Sequence, residues 1–211
     1  MGYALAMAFG LYLHSDNATK DGILTFLQDR RLVVVSGPSG VGKGTLISRL
    51  VERYPGIFAT TVSHTTRQPR PDEVDGKQYH FVTREQFRLL VQKDAFVEHN
   101  VFTVDYYGTS KQTIKDLQVK GKIVILDIER NGLNKIKDSG LDVRSVFISP
   151  PSVDALKTRL EARGTDSLVG IQRRISAATV EMRNSGVYDK VIINDDLDKA
   201  YREFEAWMLG R

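Results

Sequence analysis

Three groups of residues have the types and spacing for chemistry on phosphates. The first is Ser36-Gly37-Pro38-Ser39-Gly40-Val41-Gly42-Lys43-Gly44-Thr45. Gly37, Gly40 and Gly42 free the backbone to turn its N–H groups inward as an anion nest, and Lys43 adds a point charge where β- and γ-phosphates lie. A helix that starts here presents its positive dipole end to the same anion. In this pattern Ser or Thr usually follows the lysine and holds Mg²⁺. Gly44 stands there instead, which makes the next residue, Thr45, the candidate metal contact.

The second group is Arg67 and Arg70, three apart around Gln68-Pro69. Guanidinium forks match phosphate oxygens bidentately, although the same pair also reads as solvated loop arginines. The third is Arg159 and Arg163, four apart and so on one helix face, followed by Gly164 and by Arg173-Arg174. Arginines on a hinged helical pair suggest a lid that closes on phosphates, and ordinary surface positions fit that spacing equally.

Single residues say less. Asp127 ends an apolar run, Lys122-Ile123-Val124-Ile125-Leu126-Asp127, and carboxylates at such strand ends sit on the ligand side of an open α/β sheet. Glu98 alone reads as a surface acid, and Tyr79 and Tyr107 as packing aromatics. His64, His80 and His99 lack metal-ligand spacing. With no cysteine in the chain, disulfides, thiolate metal sites and cysteine nucleophiles are excluded.

The elements that must position these groups follow from hydrophobic patterning. Leu32 to Val35, Ile123 to Leu126, Arg144 to Ser149 and Lys190 to Asn194 are apolar, β-branched runs without alternation, as in parallel strands buried on both faces. Phe58 to Ser63 and Gly76 to Val82 read as further strands, and Phe96-Val97-Glu98 as a short one. Asp105 to Thr109 reads as a turn. Helices are predicted after the glycine loop (Leu46, Ile47, Leu50, Val51), after the Thr83/Gln86 capping box, around Ile114 and Leu117, from the Ser152 cap, and over Leu197 to Met208. Alternating strands and helices imply an α/β fold, a parallel sheet with helices on both faces.

The 211 residues, 41% hydrophobic and 27% charged, suffice for one core with small insertions. A net charge of +4 without basic runs or interleaved aromatic platforms favours small phosphate ligands over nucleic acid. The apolar stretch Tyr3 to Leu13 is shorter than the ~20 residues that span a bilayer. No Lys or Arg precedes Lys20, as a signal or transit peptide would require. Ile23, Leu24 and Leu27 suggest a short helix leading into the first strand.

Taken together, Ser36 to Lys43, Val62-Ser63 through Thr65-Thr66-Arg67-Gln68-Pro69-Arg70, Gly76 to Phe81, Tyr106 to Thr109, Ile125 to Ile128, Pro150-Pro151-Ser152 and Asn194 to Leu197 resemble the guanylate kinase family over roughly Leu32 to Leu209. The resemblance implies a P-loop kinase fold with a small GMP-binding insertion and a helical lid. It implies transfer of the γ-phosphoryl group of Mg-ATP to GMP, with dGMP as a further acceptor. The expected organisation is an extension over 1–30 and a kinase domain over 31–211. Within that domain the core is 31–62, 110–150 and 176–211, the GMP-binding insertion 63–109 and the lid 151–175.

By resemblance, Arg67, Arg70, Tyr79 and Tyr107 hold the GMP phosphate, and Ser63, Glu98 and Thr109 read the guanine. Glu98 can accept from guanine N1–H and the 2-amino group together, whereas adenine has an unprotonated N1. Asp127 and Glu129 complete the GMP side, with Glu129 standing where the family has aspartate and Thr109 where it has serine. ATP is assigned to Gly37 through Thr45 and to Asn194 near the adenine. Lys43, Arg67, Asp127, Arg159, Arg163 and Arg174 are the expected catalytic set. A cytoplasmic monomer acting on small molecules, without nucleic acid or membrane, is expected. The rival is a catalytically inactive guanylate-kinase-like protein-interaction domain, which is expected to lose Lys43 or the acceptor arginines. All of these are present.

Overall fold

The computed structural model describes residues 29–210 except 103, 129, 165 and 166. The helix expected around Ile23 to Leu27, nearly all of the 1–30 extension, and Glu129 lie outside the described residues.

The parallel strands are β1 (Leu32–Ser36), β2 (Phe58–Thr60), β7 (Ile123–Asp127), β8 (Val143–Ser149) and β9 (Lys190–Ile193). They form one sheet in the order β2-β7-β1-β8-β9. β1 lies at its centre, and its residues alternate between two cores. Val33 and Val35 pack with Leu46, Leu50 and Phe204 on one face, whereas Leu32 and Val34 pack with Leu133, Ile136 and Phe147 on the other. Burial on both sides is why the strand sequence shows no polar alternation. The first face is covered by α1 (Lys43–Arg53), α5 (Val153–Arg163), α6 (Leu168–Arg183) and α7 (Leu197–Met208); α3 (Lys111–Val119) and α4 (Arg130–Asp138) cover the second. Among the described residues no helix is long and apolar enough to cross a membrane.

A second sheet holds β3 (Ser63–Thr65), β4 (Tyr79–Phe81), β5 (Phe96–Phe102) and β6 (Asp105–Ser110) in the order β4-β3-β6-β5, backed by α2 (Arg84–Gln92). The run Phe58 to Ser63, expected as one strand, is divided between the sheets: Phe58 to Thr60 pairs with β7, and Ser63 onward pairs with β4 and β6. Asp105 to Thr109, expected as a turn, is a strand. The misleading residue was Gly108, whose missing side chain serves packing rather than a bend. A Cβ there would lie 3.0 Å from ring atoms of Phe87 and Phe96, and those rings stack with centroids 4.7 Å apart. The helix α4 was not anticipated because Leu133 and Ile136, both fully buried, are its main apolar signal in a run broken by Gly132.

The predicted caps are present. Thr83 and Gln86 form a reciprocal capping box, Ser152 accepts from the Ala155 N–H, and Gly164 ends α5 in the left-handed conformation.

Two glycines of the loop after β1 contrast sharply. Gly37 has φ +145°, and a Cβ there would lie 2.2 Å from the Ile148 carbonyl oxygen. Gly44, in the first turn of α1, has no atom within 4 Å of an added Cβ. Gly37→Ala is therefore expected to cost about 3 kcal/mol or more, and Gly44→Ala to gain up to ~1 kcal/mol from helix propensity. Urea midpoints of the two variants against the parent measure both.

His80, His64 and His99 lie in one row across the second sheet, since His64 pairs with His80 and with Gly108, and Gly108 pairs with His99. The His64 and His80 rings are 4.8 Å apart, and His64 Nδ1 is buried without a hydrogen-bond partner. Burial lowers the His64 pKa and His80 lowers it further, against Asp75; burial and Lys135 lower that of His99. The unfolded chain then binds protons more readily than the folded one, so stability is intact above the unfolded value of about 6.5 and falls as pH drops below it. Melting curves between about pH 7.5 and about pH 5 should show this loss, reduced in His64→Gln.

Candidate active site

β1 delivers the chain into the glycine loop, and α1 begins directly after it with Gly42 as N-cap at φ +100°. No side chain caps the helix, and its first turn carries no acid. Its N–H groups are therefore available to an outside anion. Lys43 is folded back along the loop, its Nζ donating to the Gly37 carbonyl at 2.6 Å and the Pro38 carbonyl at 3.3 Å. Asp127 arrives from the neighbouring strand, in register with Val35, and its carboxylate lies 4.0 Å from Lys43 Nζ. That carboxylate opens onto a cleft, yet protein surrounds it on its other sides. This burial raises its pKa, with Lys43 opposing.

The cleft has a volume of about 840 Å³, within the range of ligand sites. Ser39, Gly40, Gly42, Lys43, Gly44, Thr45 and Asp127 line it from the parallel sheet. Ser63, Arg67, Arg70, Tyr79, Glu98 and Tyr107 line it from the second sheet, and Arg163 and Arg174 from α5 and α6. Residues scattered over the sequence thus meet at the carboxyl ends of the strands, where open α/β sheets hold ligands.

On the second sheet the geometry is specific. A register shift between Phe96 and Glu98 places Glu98 opposite Thr109, and such a bulge re-aims a side chain. Glu98 is 8% exposed and accepts a 2.7 Å hydrogen bond from the Thr109 hydroxyl, which lies 3.3 Å from that of Ser63. The result is a fixed carboxylate at a cleft wall, held by the Thr109 hydroxyl. Tyr79 and Tyr107 meet edge to face at 5.9 Å. Burial and the adjacent Tyr107 push the Tyr79 phenol up, so it stays protonated as a donor at neutral pH.

Arg67 donates to both oxygens of Glu73 at 2.8 and 2.9 Å, and its guanidinium lies 5.5 Å from the Tyr79 ring centre. The Arg70 N–H donates to the same carboxylate at 2.8 Å. The Arg67 bond holds the Glu73 carboxyl below the usual range. Sequence reasoning missed Glu73; the available signal was an acid three residues after the second arginine, at the end of the proline-stiffened stretch.

The predicted lid residues are not placed alike. The Arg174 guanidinium donates to the Ser39 hydroxyl, and Arg163 faces the cleft. Arg159 instead donates to the Asp195 carbonyl at 3.3 Å and is outside the cleft lining. Asn194, expected near a nucleotide base, is also outside that lining. The expected boundary at 175 falls inside α6, which runs unbroken from Leu168 to Arg183.

For Mg²⁺ the donors fit a loosely held ion. Thr45 and Asp127 line the same cleft while Gly44 offers no ligand, and no cluster of three His, Asp or Glu that could hold a metal occurs among the described residues. Mg²⁺ bound to nucleotide keeps most of its shell as phosphate oxygens and water.

Comparison with known proteins agrees with this geometry. The guanylate kinase family model matches residues 29–209. Guanylate kinase of Schizosaccharomyces pombe is 46% identical over 181 residues, 84% of this chain and 90% of the relative. The Homo sapiens enzyme is 44% identical over 180 residues, 83% and 90% of the two chains, and that of Synechocystis is 42% identical over 170 residues, 81% and 88%. The crystal structure of guanylate kinase from Anaplasma phagocytophilum superposes with a TM-score of 0.66 at 28% identity, covering 84% of each chain. A glycine loop, a cleft between two sheets and these matches over nearly all described residues make this chain a member of the guanylate kinase family.

Proposed function

We propose that this chain transfers the γ-phosphoryl group of ATP to GMP, giving ADP and GDP. The observation that carries the acceptor assignment is Glu98, a buried carboxylate held by Thr109 in the wall of the cleft that the phosphate cradle also lines. It can take two hydrogen bonds from a guanine edge and none from the N1 of adenine. In this reading Ser63 and Glu98 face the base, Thr109 stands behind them holding Glu98, and none of the three is assigned to the ribose, so dGMP is an acceptor as well.

Arg67, Arg70, Tyr79 and Tyr107 are assigned to the acceptor phosphate. One of its oxygens attacks the γ-phosphorus in line, and the bond to the β,γ-bridging oxygen breaks as ADP leaves. The attacking oxygen is already ionised at neutral pH, so no general base is needed. What the residues supply is alignment and charge neutralisation. Lys43 and the α1 N–H groups meet the donor phosphates, with Arg163 and Arg174 approaching from the helical side. Arg159 and Asp127 are assigned supporting roles, Arg159 on lid closure and Asp127 beside Lys43. Mg²⁺ would be held by Thr45, Asp127 and the phosphates, and would neutralise charge on the donor. Action as a monomer is part of the same proposal.

The test is coupled detection of ADP with Mg-ATP and each of GMP, dGMP, AMP, CMP and UMP. Turnover is expected for the two guanine acceptors alone and should disappear in Lys43→Ala. Glu98→Gln should lose about 10²-fold or more in kcat/KM for GMP, with ATP affinity nearly unchanged, since a site built to accept hydrogen bonds loses them and gains a clashing donor. Equal turnover of AMP and GMP by the parent would defeat the assignment.

A further inference from the structure

A backbone loop can aim N–H groups at an anion only if its carbonyls turn elsewhere, and a carbonyl turned into protein needs a donor. In the glycine loop those donors can be named. Lys43 Nζ serves Gly37 and Pro38, the Leu46 N–H serves Gly42 at 3.2 Å, and the Val41 N–H also reaches the Pro38 carbonyl at 3.2 Å. The Val41 carbonyl is served by a side chain from the far end of the sequence. Asn194 Nδ2 donates to it at 2.7 Å.

Asn194 follows β9, is 5% exposed, and is itself fixed by its N–H donating to the Ser149 carbonyl at 2.8 Å. A Cβ on Gly42 would lie 2.6 Å from Nδ2, so the amide lies directly against the Val41-Gly42 segment.

We propose that Asn194 is a positioning residue for the donor polyphosphate: it holds the Val41 carbonyl on the protein side of the loop and so keeps the following N–H groups facing the anion. It acts through backbone and without touching the base, which departs from the adenine role implied by resemblance. Loss of the amide frees the Val41-Gly42 peptide to rotate, and a rotated peptide presents an oxygen where the phosphate needs an N–H. Replacement by a carboxylate sets two acceptors face to face. The proposal rests on the kinase reading only for the identity of the donor.

The experiment is calorimetric titration of the parent, Asn194→Ala and Asn194→Asp with ATP, with inosine triphosphate, which lacks the 6-amino group, and with inorganic tripolyphosphate. GMP binding monitors the second sheet and the fold. Asn194→Ala should weaken all three polyphosphates by a common factor of about ten to a hundred, the cost of one unpaired buried acceptor, while GMP affinity holds. Asn194→Asp should be weaker still near neutral pH. Its affinity relative to the parent should recover as pH falls, because the protonated carboxyl regains a donor. Since Asn194→Asp is isosteric, it carries the test if Asn194→Ala does not fold. Weakening confined to ATP, with tripolyphosphate and inosine triphosphate unaffected, would overturn the proposal in favour of base contact. A parent that binds tripolyphosphate without GMP-dependent ADP formation would instead defeat the kinase reading and leave this one standing.

Discussion

The structure depends on keeping one short loop in a conformation that an isolated peptide would not hold. In the proposed reading phosphate is bound there by backbone dipoles, and backbone dipoles point only where the chain is made to run. β1 supplies the constraint. It is buried between β7 and β8, so the loop leaves the sheet at a fixed place and angle. Gly37 then passes so close to Ile148 that no side chain fits. Packing energy spread over two apolar cores is thereby converted into the orientation of a few N–H groups, which is how a weak individual interaction becomes a defined site.

The second sheet solves a different problem with side chains. In the proposed reading a base edge is recognised by a carboxylate at a set position, and a lone buried carboxylate is costly. The β5 bulge brings Glu98 opposite Thr109, whose hydroxyl offsets part of that cost and fixes the oxygens. The hydroxyl has to be there whether the residue is threonine or serine. This explains in physical terms why the departure at position 109 preserves the arrangement.

How much was legible follows from this difference. The glycine loop and the parallel strands were readable because their signals are local: a spacing of glycines and lysine, and unbroken apolar runs. β6 and α4 were not, because Gly108 looks like a turn until the rings of Phe87 and Phe96 are in place, and Leu133 and Ile136 are too few to mark a helix alone. Asn194 was singled out only by resemblance, which implied contact with the adenine and not with the loop. Its amide meets Val41 from 153 residues away, and nothing in the strand that precedes it signals that contact. Glu73 falls between the cases, since its charge was visible but not the contact of Arg67 Nη2 with both its oxygens.

The pairing of cations around the cleft bears on how tightly substrates can bind. Lys43 rests on two carbonyls with Asp127 nearby, Arg67 on Glu73, Arg159 on a carbonyl, and Arg174 touches Ser39. Phosphates therefore exchange one set of polar contacts for another, and the affinity is the difference between the two sets rather than the sum of the new bonds. A contact that becomes better only when charge is shared between donor and acceptor contributes to rate without tightening the ground state. Pairing these cations with protein groups lowers the net gain from each phosphate contact. The partners that look competitive, Glu73 above all, are displaced alike in the ground state and in the transition state, so they weaken substrate binding uniformly and leave the chemical step to contacts that strengthen only there.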